Sequence, residues 1–198
     1  MDIALPATLT DRLSALYAEP HRRYHTLAHV QALLGWLRQY RHLAQVPADI
    51  EAAIWFHDAV YDTQRQDNEA LSAELAEAQL QATGWPQERA SRVADMVRAT
   101  QHHRADEDDT DTQLFLDLDL SVLAAPAPGY AAYASAIRAE FGWVADGPYR
   151  AGRNRVLQSF LGRDHIYRTP ALRAAWEAAA RHNLQDELAR LGAAPPST

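Results

Sequence analysis

The chain of 198 residues contains no cysteine. That absence excludes disulfides, thiolate zinc sites, cysteine nucleophiles and cysteine-ligated iron–sulfur clusters. Glycine and proline are scarce, at 8 and 10 residues, and they are concentrated between periodic stretches. No apolar run reaches the roughly 18 residues that a bilayer span requires, so no membrane partner is expected. The opening Met1-Asp2-Ile3-Ala4-Leu5-Pro6 lacks the basic region and long apolar core of a secretory signal, and a cytoplasmic location is expected. Positive charge is in short supply: 19 basic against 26 acidic residues leave a formal net charge of -7. That balance argues against a nucleic-acid partner. What the chain does have is histidine, nine residues of it. With thiolates absent, any metal must be held by imidazole and carboxylate.

Ala, Leu, Glu, Arg and Gln dominate the long segments and favour helix. The periodicity predicts helices over about 8–18, 24–44, 47–60, 67–83, 86–104, 111–124, 128–142, 148–162 and 170–191. Pro47 opens one of them. Asp67 and Asn68 precede another in the manner of an N-cap. Gly84-Trp85-Pro86 and Ala125-Pro126-Ala127-Pro128-Gly129 separate others. The acidic run Asp106-Glu107-Asp108-Asp109 with Asp111 is read as a solvated loop and cap, and Trp85, Trp143 and Trp176 as packing residues. No strand pattern, internal repeat or long linker stands out. The expectation is an all-α, single-domain helical bundle over residues 1–192, with a disordered tail over 193–198.

Three places carry chemistry. In Pro20-His21-Arg22-Arg23-Tyr24-His25-Thr26-Leu27-Ala28-His29, the i, i+4 spacing puts His25 and His29 on one helix face. In Trp55-Phe56-His57-Asp58-Ala59-Val60-Tyr61-Asp62, helical neighbours of His57 are apolar, so its imidazole needs a partner. Solvated or core histidines bonded to a nearby acid would account for either stretch alone. The third is more telling. Asp119 has Phe115, Leu116, Val122 and Leu123 at its helical contact positions and no basic residue on its own helix. A carboxylate on a core face is costly unless paired, protonated or ligated. Asp117 beside it reads as a solvated acid or as one standing behind the metal ligands. Two imidazoles and two carboxylates, His29, His57, Asp58 and Asp119, would suit Mn, Mg, Co, Ni or Fe better than a closed zinc site.

This ordered set resembles the HD superfamily of metal-dependent phosphohydrolases, all-helical proteins whose pattern is His, then His-Asp, then a distant Asp. The segments around Glu19-Pro20-His21-Arg22, Trp55–Asp62, Asp67-Asn68-Glu69, Phe115–Leu120, Gly152-Arg153 and Ala180–Leu184 are similar to a bacterial family of predicted HD phosphohydrolases. The resemblance covers roughly residues 15–190. It implies a divalent ion, Zn included, on His29, His57, Asp58 and Asp119. It also brings Asn68 and Glu69 toward the site. Guanosine tetraphosphate hydrolases of the superfamily carry His-Asp-x-x-Glu-Asp, whereas Tyr61 stands here at the Glu position. That departure argues against alarmone hydrolysis and leaves Asp62 as candidate base.

The chemistry expected is hydrolysis of a small phosphorylated substrate, a nucleotide by preference, by a metal-activated water. Asp62 and Glu69 are the candidate catalytic acids. Arg22, His25, Asn68, His103 and Arg153 are the candidate substrate-binding groups. Two alternatives stand beside it. One is an HD-type di-iron oxygenase, which needs extra histidines in the interval holding only His102 and His103. The other is a non-catalytic nucleotide- or metal-binding sensor. The Ala- and Leu-rich final helix allows a homodimer.

Overall fold

The computed structural model describes residues 4–192, and the tail expected over 193–198 lies outside the described residues. Among the described residues the protein is all-helical, with nine α-helices and no strand. They are α1 (Ala7–Leu16), α2 (Leu27–Tyr40), α3 (Pro47–Phe56), α4 (Asn68–Ala82), α5 (Gln87–Ala99), α6 (Thr110–Asp119), α7 (Ala127–Glu140), α8 (Asp146–Leu161) and α9 (Pro170–Gly192). Each matches a stretch of apolar periodicity. Short 3₁₀ turns follow α2 at Arg41–Leu43 and α6 at Leu120–Ala124.

The chain falls into two compact units, one ending at Asp119 and the other beginning at Leu120. The division interrupts a stretch with neither glycine nor proline, where α6 passes straight into the 3₁₀ turn. For that reason no change of composition announces it.

In the first unit α3 is the central element, packed against α1, α2, α4, α5 and α6. Its Ile50, Ala52, Ala53, Ile54 and Phe56 are all buried. A helix apolar on every side must be enclosed by others. Around it stand Leu33 and Leu37 of α2, Leu80 of α4, Met96 and Val97 of α5, and Leu114, Phe115 and Leu118 of α6, all buried. Burying each large apolar side chain contributes about 1.5–3 kcal/mol before entropy is charged against it. Ala73 and Ala76 on α4 and Ala90 and Ala94 on α5, also fully buried, let that pair of helices approach closely.

A buried ionic network fixes the orientation of the same helices. Asp49 of α3 accepts hydrogen bonds from Arg89 Nε at 2.9 Å and Arg89 Nη2 at 2.5 Å, and from Arg92 Nη1 at 3.4 Å. Asp111 of α6 accepts the backbone N–H groups of Gln45 and Val46 at 2.7 and 2.9 Å, and Arg92 Nη2 at 3.1 Å. Thus an acid of α6 holds the chain as it enters α3. The acidic run is not uniformly solvated, because Asp111 is buried, while Asp109 caps α6 by accepting the Thr112 N–H at 3.1 Å.

The second unit packs Leu120, Leu123, Tyr130, Leu157, Ile166, Tyr167, Ala180 and Leu184 into its own core, with Trp176 against it. Carbonyls of the 3₁₀ turn and its exit are satisfied from α9 and its approach. Asn183 donates to Leu123 O and Ala125 O at 2.8 and 2.9 Å, and Tyr167 donates to Leu120 O at 3.0 Å. Trp143 departs from its expected packing role: it is 58% exposed.

Candidate metal centre

The site begins where α3 ends. The sequence predicts a helix running to residue 60, yet α3 stops at Phe56. His57 N–H still donates to Ala53 O at 2.9 Å, and Ala59 N–H then donates to Phe56 O at 3.0 Å, a tighter turn. Side chains from elsewhere take the backbone groups that a continuing helix would have used. Tyr17 Oη accepts the Asp58 N–H at 3.3 Å and donates to Trp55 O at 3.1 Å. Ser72 of α4 accepts the Val60 N–H at 3.0 Å and donates to Val60 O at 3.3 Å.

Arg22 is the third of these clamps, and it is not available to a substrate as expected. Its side chain is fully enclosed. Nε donates to Glu19 Oε2 at 3.0 Å, Nη1 to His25 O and Asp58 O at 3.2 and 2.7 Å, and Nη2 to Ala59 O at 3.1 Å. Nη2 also meets Glu19 Oε2 at 3.0 Å. The five N–H bonds of a guanidinium are thereby all engaged. The rings of Tyr17 and Tyr61 lie 5.1 and 5.3 Å from its central carbon. The physical reason is burial: a guanidinium so far from water must find carbonyls and π-faces.

Around this turn three ligand-type atoms converge. His29 Nε2, from the first turn of α2, lies 3.2 Å from His57 Nε2 and 3.1 Å from Asp119 Oδ1 at the end of α6. His57 Nε2 and Asp119 Oδ1 are 3.6 Å apart. His57 Nδ1 donates to Ile54 O at 2.9 Å, which turns Nε2 toward the cluster. Two atoms each about 2.1 Å from one ion stand roughly 3.0 Å apart at a right angle and roughly 3.4 Å apart at the tetrahedral angle. Two of the observed separations, 3.1 and 3.2 Å, fall between those values and the third, 3.6 Å, lies just above them, so His29, His57 and Asp119 could hold a single divalent ion. Asp58 Oδ2 lies 3.0 Å from His57 Nε2, adjoining the three.

Electrostatics follow from this crowding. Burial works against charge on His57, but the carboxylates of Asp58 and Asp119 more than offset it and raise its pKa to about 9. Burial lowers the pKa of His29 despite its contact with Asp119. Asp58, although buried, is held well below the usual carboxylate range by His57 and His25. Asp119 is held likewise by the hydrogen bonds of His103 and His29.

Other candidates divide into those brought to the site and those engaged elsewhere. His103 Nε2 lies 2.9 Å from Asp119 Oδ2. His25 Nε2 lies 4.0 Å from Asp58 Oδ2, with its ring centroid 4.3 Å from that of Tyr61. Helix periodicity does not place His25, since α2 begins only at Leu27. Asp62 sits in an exposed loop rather than one helical turn beyond Asp58, and its Oδ1 accepts the Gln64 N–H at 2.8 Å. Asn68 staples that loop, donating to Asp62 O at 2.8 Å and accepting the Asp62 N–H at 3.1 Å. Asp67 does not cap α4 with its side chain but pairs with Arg65 at 2.7 Å. Glu69 occupies the first turn of α4. Asp117 is buried at 2% exposure, which sets aside the solvated one of its two expected roles.

Arg153 belongs to the second unit and is engaged there. Its Nε and Nη2 donate to Glu187 at 2.8 and 3.0 Å and its Nη1 to Tyr133 Oη at 3.3 Å, while Tyr130 donates to the same carboxylate. Residues that sequence reasoning missed are the clamps Tyr17 and Ser72. Tyr17 follows the last residue of α1 and Ser72 lies on α4, and no local signal separates either from other core-facing positions.

Comparison with family models, with curated proteins and with solved structures gives no match for this chain. No helix among the described residues is long and apolar enough to cross a membrane.

Proposed function

We propose that the protein is a metal-dependent phosphohydrolase of the HD type, acting on a small phosphorylated molecule and by preference a nucleotide. The observation that carries this reading is the convergence of His29, His57 and Asp119, whose ligand atoms all lie within 4.8 Å of one another, with Asp58 adjoining His57. A divalent ion there would supply a Lewis acid for a phosphoryl oxygen and a water of lowered pKa. The residues do the rest. Ile54 O fixes the His57 tautomer, and Arg22, Tyr17 and Ser72 hold the turn that presents Asp58. With Arg22 and Arg153 engaged by their own neighbours and His103 bonded to Asp119, His25 is the nominated donor to the phosphoryl group.

The test is metal analysis of the purified protein, then a phosphate-release screen over nucleotides and sugar phosphates with Mn, Mg, Co and Ni. Release that disappears in Asp58→Ala and Asp119→Ala is the expected result. Release untouched by both substitutions would overturn the site. Two iron atoms per chain with oxygen uptake would mean a dinuclear oxygenase instead, and tight nucleotide binding without turnover would mean a sensor.

A further inference from the structure

His103 lies in the loop between α5 and α6, half-buried, and reaches Asp119 through Nε2 at 2.9 Å. The oxygen it meets is Oδ2, whereas Oδ1 of the same carboxylate faces His29 and His57. That contact engages the oxygen other than the one facing His29 and His57, and the His103 nitrogen is not one of the three ligand atoms that converge. His103 is moreover the sole non-glycine among the described residues with positive φ, at 47°. Left-handed backbone is unfavourable for an L-residue and persists only where surrounding contacts enforce it.

We propose that His103 is a positioning residue for Asp119, resting on the metal reading above: it occupies Oδ2 so that Asp119 presents Oδ1 alone to the ion. Without it, the carboxylate is free to rotate about its Cβ–Cγ bond and to offer either oxygen or both. Partners of this kind, which orient a ligand without touching the metal, typically change affinity 10–100-fold.

The experiment uses Co(II) as probe on the full chain, with affinity from titration and the number of bound imidazoles from paramagnetically shifted N–H proton resonances. Wild type is expected to show two such resonances, from His29 and His57. His103→Gly, which suits the positive φ, should keep both while binding Co(II) about 10–100-fold more weakly. His103→Gln, whose amide N–H can replace Nε2–H, should recover most of the loss. A third resonance in wild type that vanishes in His103→Gly would make His103 a ligand and overturn the proposal. Unchanged affinity in His103→Gly would overturn it too, while leaving the metal site standing. A wild type that binds no Co(II) would remove the metal reading itself, and this proposal with it.

Discussion

Replacing Arg22 with Met distinguishes a clamp from a phosphate-binding arginine. Met keeps much of the buried length and removes every donor. Three carbonyl oxygens, of His25, Asp58 and Ala59, then lose a partner in a place where the Arg22 side chain admitted no solvent. Leaving a buried acceptor unsatisfied costs about 1–3 kcal/mol, and the open side near Glu19 lets water repair part of the damage. A total of about 3–5 kcal/mol follows, a large share of the roughly 5–15 kcal/mol that holds a typical domain folded. Urea unfolding followed by circular dichroism measures it directly. Arg22→Lys, which supplies fewer donors in a different geometry, should fall between Met and wild type. If Arg22→Met unfolds at the wild-type urea concentration and instead raises KM for a phosphorylated substrate, the clamp is wrong and the guanidinium meets substrate.

Three further outcomes follow from the same geometry. Ser72→Ala strips both partners from Val60 at a fully buried position and should cost about 2 kcal/mol in thermal unfolding, with no loss if water replaces the hydroxyl. Glu187→Gln leaves Arg153 without its counter-charge in the second unit and should cost about 3–5 kcal/mol at pH 7. Burial opposes the Glu187 charge, but Arg153 and Tyr130 more than compensate and lower its pKa. Its stabilising contribution is therefore complete above the unfolded value near 4.3 and is lost as pH falls through the folded one, so wild type and Glu187→Gln should converge in acid. A gap that stays constant from pH 7 to pH 3 would refute that assignment. Asp111→Ala should destabilise the entry to α3 by about 2–4 kcal/mol, because two backbone N–H groups and Arg92 lose one acceptor; hydrogen exchange at Gln45 and Val46 reports it locally.

Much of the candidate site was legible. Asp119 stood out because a carboxylate amid Phe115, Leu116 and Leu123 needs a partner. The partners turn out to be imidazoles from α2, from the end of α3 and from the α5–α6 loop. His29 and His57 were legible as histidines flanking apolar stripes. The roles of the arginines were not, because every basic residue in this chain is arginine, with no lysine among its 19 basic residues. A residue type used throughout for structural pairing gives no local sign of which copy faces a ligand, and Arg22 and Arg153 both proved to be engaged internally. Asp62 was misplaced for a different reason. Periodicity carried α3 to residue 60, since nothing in Ala59, Val60 or Tyr61 breaks a helix.

The sequence by itself determined the all-helical class, the nine helices and their apolar faces. These follow from periodicity and from glycine and proline punctuation, which act within a few residues. It also determined that any metal would lie on imidazole and carboxylate, because no thiol exists to compete. Only the tertiary structure decided where α3 stops, which oxygen of Asp119 faces which histidine, and that Arg22 closes a turn rather than an active site. Each of those outcomes is a competition for hydrogen bonds between groups dozens of residues apart. Such competitions are settled by packing, which no local pattern records.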